Sequence, residues 1–164
     1  MKKFVTTLLL TAIISTCSDS IPAKAFTLTS GTQTEIVKLE NGYYLETTIQ
    51  DSSAIQNQTD ISLFAATKRI TKTKTSTMKS ANGNVKWSVS ITATFTYNGN
   101  SSKCVSCSHT ATAFAKSWAI KKASSSKSGN SATARATATY SENGEARSQS
   151  TSVTISCNKN GKVS

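Results

Sequence analysis

The segment from Trp87 to Tyr97 alternates without interruption between apolar and hydroxylated side chains. Every second residue is Trp, Val, Ile, Ala, Phe or Tyr, and every residue between them is Ser or Thr. Because successive side chains of a β-strand point to opposite faces, this pattern predicts a strand with one buried face and one solvated face. No segment beyond the first 25 residues has the 3.6-residue period of an amphipathic helix. The chain is therefore expected to be all-β.

Similar alternation, interrupted by turn sequences, covers most of the second half of the chain. Asn-Gly pairs separate several of these segments, and this pair is the strongest short signal for a β-hairpin. We therefore predict an antiparallel two-sheet sandwich, immunoglobulin-like, over residues 70–164. Its strands are expected at 70–79, 87–97, 103–118, 132–140 and from 145 to Cys157. An acidic hairpin over 36–49 precedes it, with a mobile polar stretch at 51–59.

The first 25 residues have the order of a secretory signal peptide. Lys2 and Lys3 precede an apolar run, and Ala23-Lys24-Ala25 supplies the small residues of a cleavage site. The apolar run is too short for a stable transmembrane anchor. The protein is therefore expected to be secreted or associated with the cell surface. A less favoured alternative is a lipoprotein, because Ile14-Ser15-Thr16-Cys17 resembles a lipobox with Cys17 as the lipidated residue.

Charge divides the expected mature chain into two regions of opposite sign. Residues 26–60 carry a net charge of −4, whereas residues 61–164 carry +13. We therefore expect an acidic N-terminal segment at 26–69 and a basic domain at 70–164. Clustered positive charge favours a polyanionic partner, which would be a cell-wall polymer, an acidic glycan, an anionic membrane surface or extracellular DNA read without sequence specificity.

The basic residues nearest the junction are the first candidates for contact with an anion. They are Lys68, Arg69, Lys72, Lys74 and Lys79. One alternative is that the alternating Lys and Thr residues form the solvated face of an edge strand, where lysine discourages edge pairing. A second is that the acidic segment covers this region within the same molecule. Cleavage at Lys68-Arg69 would then release the basic domain of a secreted antimicrobial or competition factor.

The cysteines predict a covalent link rather than a reactive centre. A disulfide between Cys104 and Cys157 would close a loop of about 54 residues and stabilise a thin core by about 4 kcal/mol. Their order with Trp118 resembles that of immunoglobulin domains, although Ile155 replaces the tyrosine of the tyrosine corner. Cys107 is then the cysteine of the expected mature chain that this disulfide leaves over. A metal site would use Cys104, Cys107, His109 and Cys157, but an oxidising compartment disfavours it, and no metal or cofactor is expected.

No catalytic motif can be assembled from the sequence. His109 is the single histidine, and no G-x-S-x-G accompanies it. We therefore predict a protein that is not an enzyme and that works by binding. A glycan-binding platform is a weaker alternative, for which the available aromatic residues are Tyr43, Tyr44, Trp87, Tyr97, Trp118 and Tyr140.

Several segments together resemble a group of small exported proteins of clostridia-like Gram-positive bacteria. They are 39–44, the Lys/Thr run at 71–75, Trp87 with 94–99, Lys103-Cys104, 126–130 and 157–164. The resemblance covers most of the expected mature chain, and Cys107 is an addition to the pattern of the group. It implies export and a β-rich domain, and it supplies no active residues.

Overall fold

A computed structural model describes residues 24–29, 32–39, 42–51 and 67–164, which form nine β-strands and no helix. No helix among these residues has the length and apolar character that crossing a lipid bilayer requires. The prediction of an all-β protein is confirmed. The strands are β1 (Lys24–Thr29), β2 (Thr32–Lys38), β3 (Tyr43–Asp51), β4 (Lys68–Ser80), β5 (Val85–Tyr97), β6 (Ser102–Ala113), β7 (Trp118–Ser128), β8 (Ser131–Glu142) and β9 (Glu145–Ser156).

The strands form two antiparallel sheets in which neighbours in sequence are neighbours in space. The larger sheet has the order β1-β2-β3-β4-β5-β6, and the smaller has the order β7-β8-β9. Short turns connect several of these neighbours. At the β8–β9 turn, Asn143 and Gly144 have φ values of 53° and 82°, the left-handed conformation that Asn-Gly provides in two-residue hairpins. An immunoglobulin domain instead uses Greek-key connections between its sheets.

The core lies between the inner faces of the two sheets. On β5, the side chains of Trp87, Val89, Ile91 and Phe95 are fully buried. On β8, every second residue from Ala132 to Ala138 is alanine and at most 3% exposed. These small side chains let the two sheets approach closely, and the large residues of β5 fill most of the volume. The alternation in the sequence therefore correctly identified both buried faces.

The acidic hairpin continues the larger sheet. β3 pairs along all nine of its residues with β4, from Tyr43 opposite Ser80 to Asp51 opposite Lys72. The predicted hairpin between β2 and β3 is confirmed by their pairing. The export signal lies outside the described residues apart from Lys24 and Ala25, which begin β1, and Cys17 and residues 52–66 also lie outside them.

The predicted single strand at 103–118 is wrong, because it is two strands in different sheets. β6 ends at Ala113, and the chain turns where the backbone N–H groups of Phe114 and Ala115 both donate to the carbonyl oxygen of Lys86. Trp118 then begins β7, which contains many small and polar residues and showed no clear alternation in the sequence. β1 was not predicted either.

Candidate anion-binding face

The five basic residues predicted as one contact surface do not share one face of the structure. Lys72 and Lys74 stand opposite Ala93 and Ile91 in the sheet register, so they lie on the inner side of β4. Lys68 and Arg69 are exposed at the start of the strand. Lys79 lies at the other end of β4 in an ion pair with Glu46, with Nζ and Oε1 2.8 Å apart.

The outer face of the smaller sheet has a simple composition dominated by hydroxyl groups. Thr133 and Thr154 hydrogen-bond across β8 and β9 at 2.8 Å, and Thr137 and Ser150 do the same at 2.8 Å. These residues alternate with the buried alanines of β8 and the buried apolar residues of β9. Because alternate side chains of a strand share a face, they mark the outer surface of this sheet.

Two cations lie in the middle of this hydroxylated surface. Arg135 on β8 stands opposite Ser124 on β7 and opposite Ser152 on β9. Lys122 on β7 stands opposite Thr137 on β8. Together with Ser150, these side chains line a shallow groove with a volume of about 430 Å³. Arg135 and Lys122 are both exposed to solvent. The groove therefore presents two positive charges surrounded by hydroxyl groups.

No carboxylate lines this groove. The two acidic residues of the smaller sheet lie at the β8–β9 turn, where both interact with Arg147. The distances are 3.7 Å from Arg147 Nε to Glu142 Oε2 and 3.2 Å from Arg147 Nη2 to Glu145 Oε2. The charges of Lys122 and Arg135 are consequently not neutralised by a carboxylate within the groove.

A β-bulge places Lys122 on this face. The β7–β8 register shifts between Ile120 and Lys122, so Lys121 is the extra residue and Lys122 stands opposite Thr137. Sequence reasoning missed Lys122 because a dibasic pair does not reveal which lysine faces outward. It also missed Arg135, although the sequence carried a signal, since Arg135 is the one charged residue in the alternating segment 132–140.

These groups are suited to holding an oxyanion. The guanidinium of Arg135 offers a planar fork of donors that matches sulfate, phosphate or carboxylate oxygens in pairs. Lys122 adds a point charge, and the hydroxyls of Ser124, Ser150 and Ser152 can each donate a hydrogen bond. The groove lining contains no histidine, cysteine or carboxylate.

The described cysteines are free thiols, so the predicted Cys104–Cys157 disulfide is not formed in the structure and stays a prediction. The backbones of Cys104 and Cys157 nevertheless approach the same turn. The N–H of Cys104 donates to the carbonyl oxygen of Gly129 at 2.9 Å, and the N–H of Cys157 donates to that of Asn130 at 3.0 Å. Burial raises the pKa of both thiols, which disfavours the reactive thiolate. Cys107 is partly buried.

The alternative metal and catalytic sites gain no support from the geometry. Within the described ranges, no three side chains of His, Cys, Asp or Glu converge as a metal site would require. The exposed His109 has Nδ1 2.9 Å from Ser125 Oγ. A hydrogen-bonded Ser and His are two parts of a nucleophilic triad. No described carboxylate is seen to orient this imidazole.

Three of the aromatic residues pack together at one end of the core instead of forming an exposed platform. Trp118 stacks on Tyr140 with ring centroids 4.2 Å apart, and Tyr43 of the acidic segment meets both rings edge-on at 5.7 and 6.2 Å. Trp87 is completely buried, and Trp118 is only 6% exposed. The weaker prediction of a glycan platform is therefore wrong for both tryptophans, which cannot present their ring faces to a sugar.

The partly buried position of Tyr43 leads to a prediction about alkaline pH. Burial, followed by the nearby Tyr140 and Glu142, raises the pKa of the Tyr43 hydroxyl above 10.0. The unfolded chain therefore releases this proton at a lower pH than the folded protein does. The stabilisation that the protonated Tyr43 hydroxyl gives the folded state is complete below pH 10 and is lost as the pH rises through the folded-state pKa. We expect the free energy of unfolding to fall more steeply above pH 10 in the parent protein than in Tyr43→Phe. Urea titrations across this range measure the difference, and equal slopes would contradict the assignment.

Comparison of the chain with protein-family models, curated proteins and solved structures finds no match. The resemblance to small exported proteins of clostridia-like bacteria therefore stays an expectation from the sequence.

Proposed function

We propose that this protein is a non-enzymatic binding module for an anionic polymer, and that the outer face of β7–β9 is its binding surface. The observation that carries the proposal is the groove in which Arg135 and Lys122 stand among hydroxyl groups without a carboxylate. A polymer that carries hydroxyl groups and repeated sulfate, phosphate or carboxylate groups matches both features. Its anionic groups would pair with the two cations, and its hydroxyls would hydrogen-bond the rows of Ser and Thr side chains.

The secretory signal predicted from the sequence is consistent with the same proposal. A secretory signal would deliver the domain to the surface of the cell or beyond it, where anionic wall polymers, acidic glycans and anionic membrane surfaces occur. The net charge of +13 over residues 61–164 would attract such polymers from a distance before the groove is engaged. We also propose that the immunoglobulin-like character is limited to the two-layer architecture, because both sheets are built from consecutive strands.

The proposal predicts that the groove cations contribute more to binding than other exposed cations. Lys122→Gln combined with Arg135→Gln is expected to weaken binding of a sulfated glycan by at least about tenfold, equivalent to about 1.4 kcal/mol. Fluorescence anisotropy with a labelled heparin oligosaccharide measures the dissociation constant. If each cation contacts one anionic group, the double variant should also reduce the slope of log K against log salt by about 1 to 2.

The matched control is Lys68→Gln combined with Arg69→Gln. It removes the same charge from exposed residues at the start of β4, on the other sheet. The proposal expects this control to bind nearly as tightly as the parent. Equal weakening by both double variants would show that net charge, and not the groove, determines binding. Binding that is undetectable even at low salt would remove the polyanion proposal altogether.

A further inference from the structure

The outer face of the smaller sheet repeats one arrangement of side chains in two consecutive rows. Each row runs across β7, β8 and β9 and consists of the residues that stand opposite one another in the register. The lysine row is Lys122, Thr137 and Ser150, and the arginine row is Ser124, Arg135 and Ser152. Each row therefore contains one cation and two hydroxyl groups.

The two cations stand diagonally to each other. Lys122 lies on β7 at the side of the smaller sheet, whereas Arg135 lies on its central strand β8. Diagonal neighbours on one face of an antiparallel pair are roughly 7–8 Å apart. Both side chains are exposed, and no carboxylate lines the groove between them, so repulsion between like charges favours keeping their ends apart. The groove therefore presents two separate positive charges.

Each cation has hydroxyl groups in its own row. Thr137 and Ser150 share a hydrogen bond of 2.8 Å, which uses one of their two O–H donors and leaves the other able to donate to a ligand. Ser124 and Ser152 are exposed and flank Arg135 on its two sides. A cation beside hydroxyl donors is suited to holding one oxyanion. The two rows are therefore two subsites of similar chemistry.

We propose that the two rows bind two successive anionic units of one linear polymer, an inference that rests on the proposed function and specifies its ligand. One unit occupies each row, so the polymer runs along the strands. Successive rows are two residues apart, which is about 6.6–6.8 Å at the usual rise of a strand. The matching polymer carries one oxyanion and free hydroxyl groups in each unit. Polyols linked by phosphodiesters and chains of uronic acids both have this chemistry.

Two linked subsites predict a step in affinity with ligand length. A ligand with one anionic unit occupies one row at a time, whereas a ligand with two units binds its second row as an intramolecular event. We expect the dissociation constant to fall by at least about tenfold from one unit to two. From two units to four it should fall by only about threefold, from the additional ways of placing the chain. The neighbouring rows, centred on Thr133 and Thr139, carry no charged residue that could hold a third unit.

Calorimetric titration of the intact chain with two ligand series tests this proposal. One series is glycerol phosphate oligomers, capped so that every phosphate is a diester, and the other is oligogalacturonates, each with one, two and four anionic units. The series that shows the step from one unit to two identifies the oxyanion. Lys122→Gln and Arg135→Gln should each remove the step, because each leaves one charged row. The matched control is Lys116→Gln, which removes an exposed cation between β6 and β7 and should retain the step.

A single site in which both cations hold the same oxyanion would give a different result. One-unit ligands would then bind as tightly as two-unit ligands in both series, and this outcome would overturn the proposal. A step that persists in both single variants would also overturn it, as would no binding of either series by protein that binds the labelled heparin oligosaccharide. Failure of the proposed function is distinguishable, because Lys122→Gln combined with Arg135→Gln would then leave heparin binding unchanged.

Discussion

Replacing Trp87 by alanine is expected to lower the free energy of unfolding by about 3–5 kcal/mol, the usual cost of removing a large aromatic side chain from a core. Trp87 is the largest fully buried side chain and lies on the inner face of β5. Its cross-strand neighbours are Met78 on β4 and Ala113 on β6. Because every second residue of the facing strand β8 from Ala132 to Ala138 is alanine, this part of the strand has no large side chain that could fill the resulting cavity. Urea denaturation of parent and variant measures the loss.

Trp87→Phe is the matched control for this experiment. The indole Nε1 of Trp87 is buried without a hydrogen-bond partner among the described residues. Leaving such a donor unpaired costs about 1–3 kcal/mol, and phenylalanine removes this cost while keeping an aromatic ring in the core. We therefore expect Trp87→Phe to lose less than half as much stability as Trp87→Ala. An equal loss for both variants would show that the indole N–H is satisfied in solution.

Oxidation of the thiols is expected to produce the second large effect. A Cys104–Cys157 disulfide would constrain an unfolded loop of about 54 residues and raise the free energy of unfolding by about 4 kcal/mol over the reduced protein. Both residues are buried, and their backbone N–H groups bind the neighbouring carbonyls of Gly129 and Asn130. Denaturation with and without reductant measures the difference, and peptide mapping identifies the link.

Two serine variants separate this pairing from its alternative. Cys107→Ser should retain the stability difference between oxidised and reduced protein, whereas Cys157→Ser should abolish it. Comparing the two redox states within each variant removes the cost of placing serine in the core. The opposite pattern, in which Cys107→Ser abolishes the effect and Cys157→Ser retains it, would assign the disulfide to Cys104 and Cys107 and refute the expected pair.

The sequence predicted those strands whose buried residues are large or strictly periodic. β5 and β8 alternate over nearly their whole length, so a period of two was sufficient to find both strands and their inner faces. β7 escaped prediction because its sequence is rich in Ser and Lys and contains a bulge. A bulge depends on one extra residue, and no composition or period reveals it.

The location of the candidate site was harder to predict than the fold. Charge counting identified a basic domain but selected residues by proximity in the sequence. The alternation of side chains along β4 was a better guide to which face each lysine occupies. Lys72 and Lys74 are an even number of residues from Ile70 and Met78, so they lie on the same inner side of the strand. Arg135 and Lys122 are thirteen positions apart, and only the β7–β8 register brings them to one groove.

We propose that the groove on the smaller sheet, and not the start of β4, receives an anionic polymer. The most direct test is an NMR titration of the isotope-labelled protein with a short sulfated oligosaccharide, following backbone amide shifts at constant salt. We expect saturable shifts concentrated at Lys122, Ser124, Arg135, Ser150 and Ser152. Shifts concentrated at residues 68–79, or uniform shifts over all exposed lysines, would contradict it.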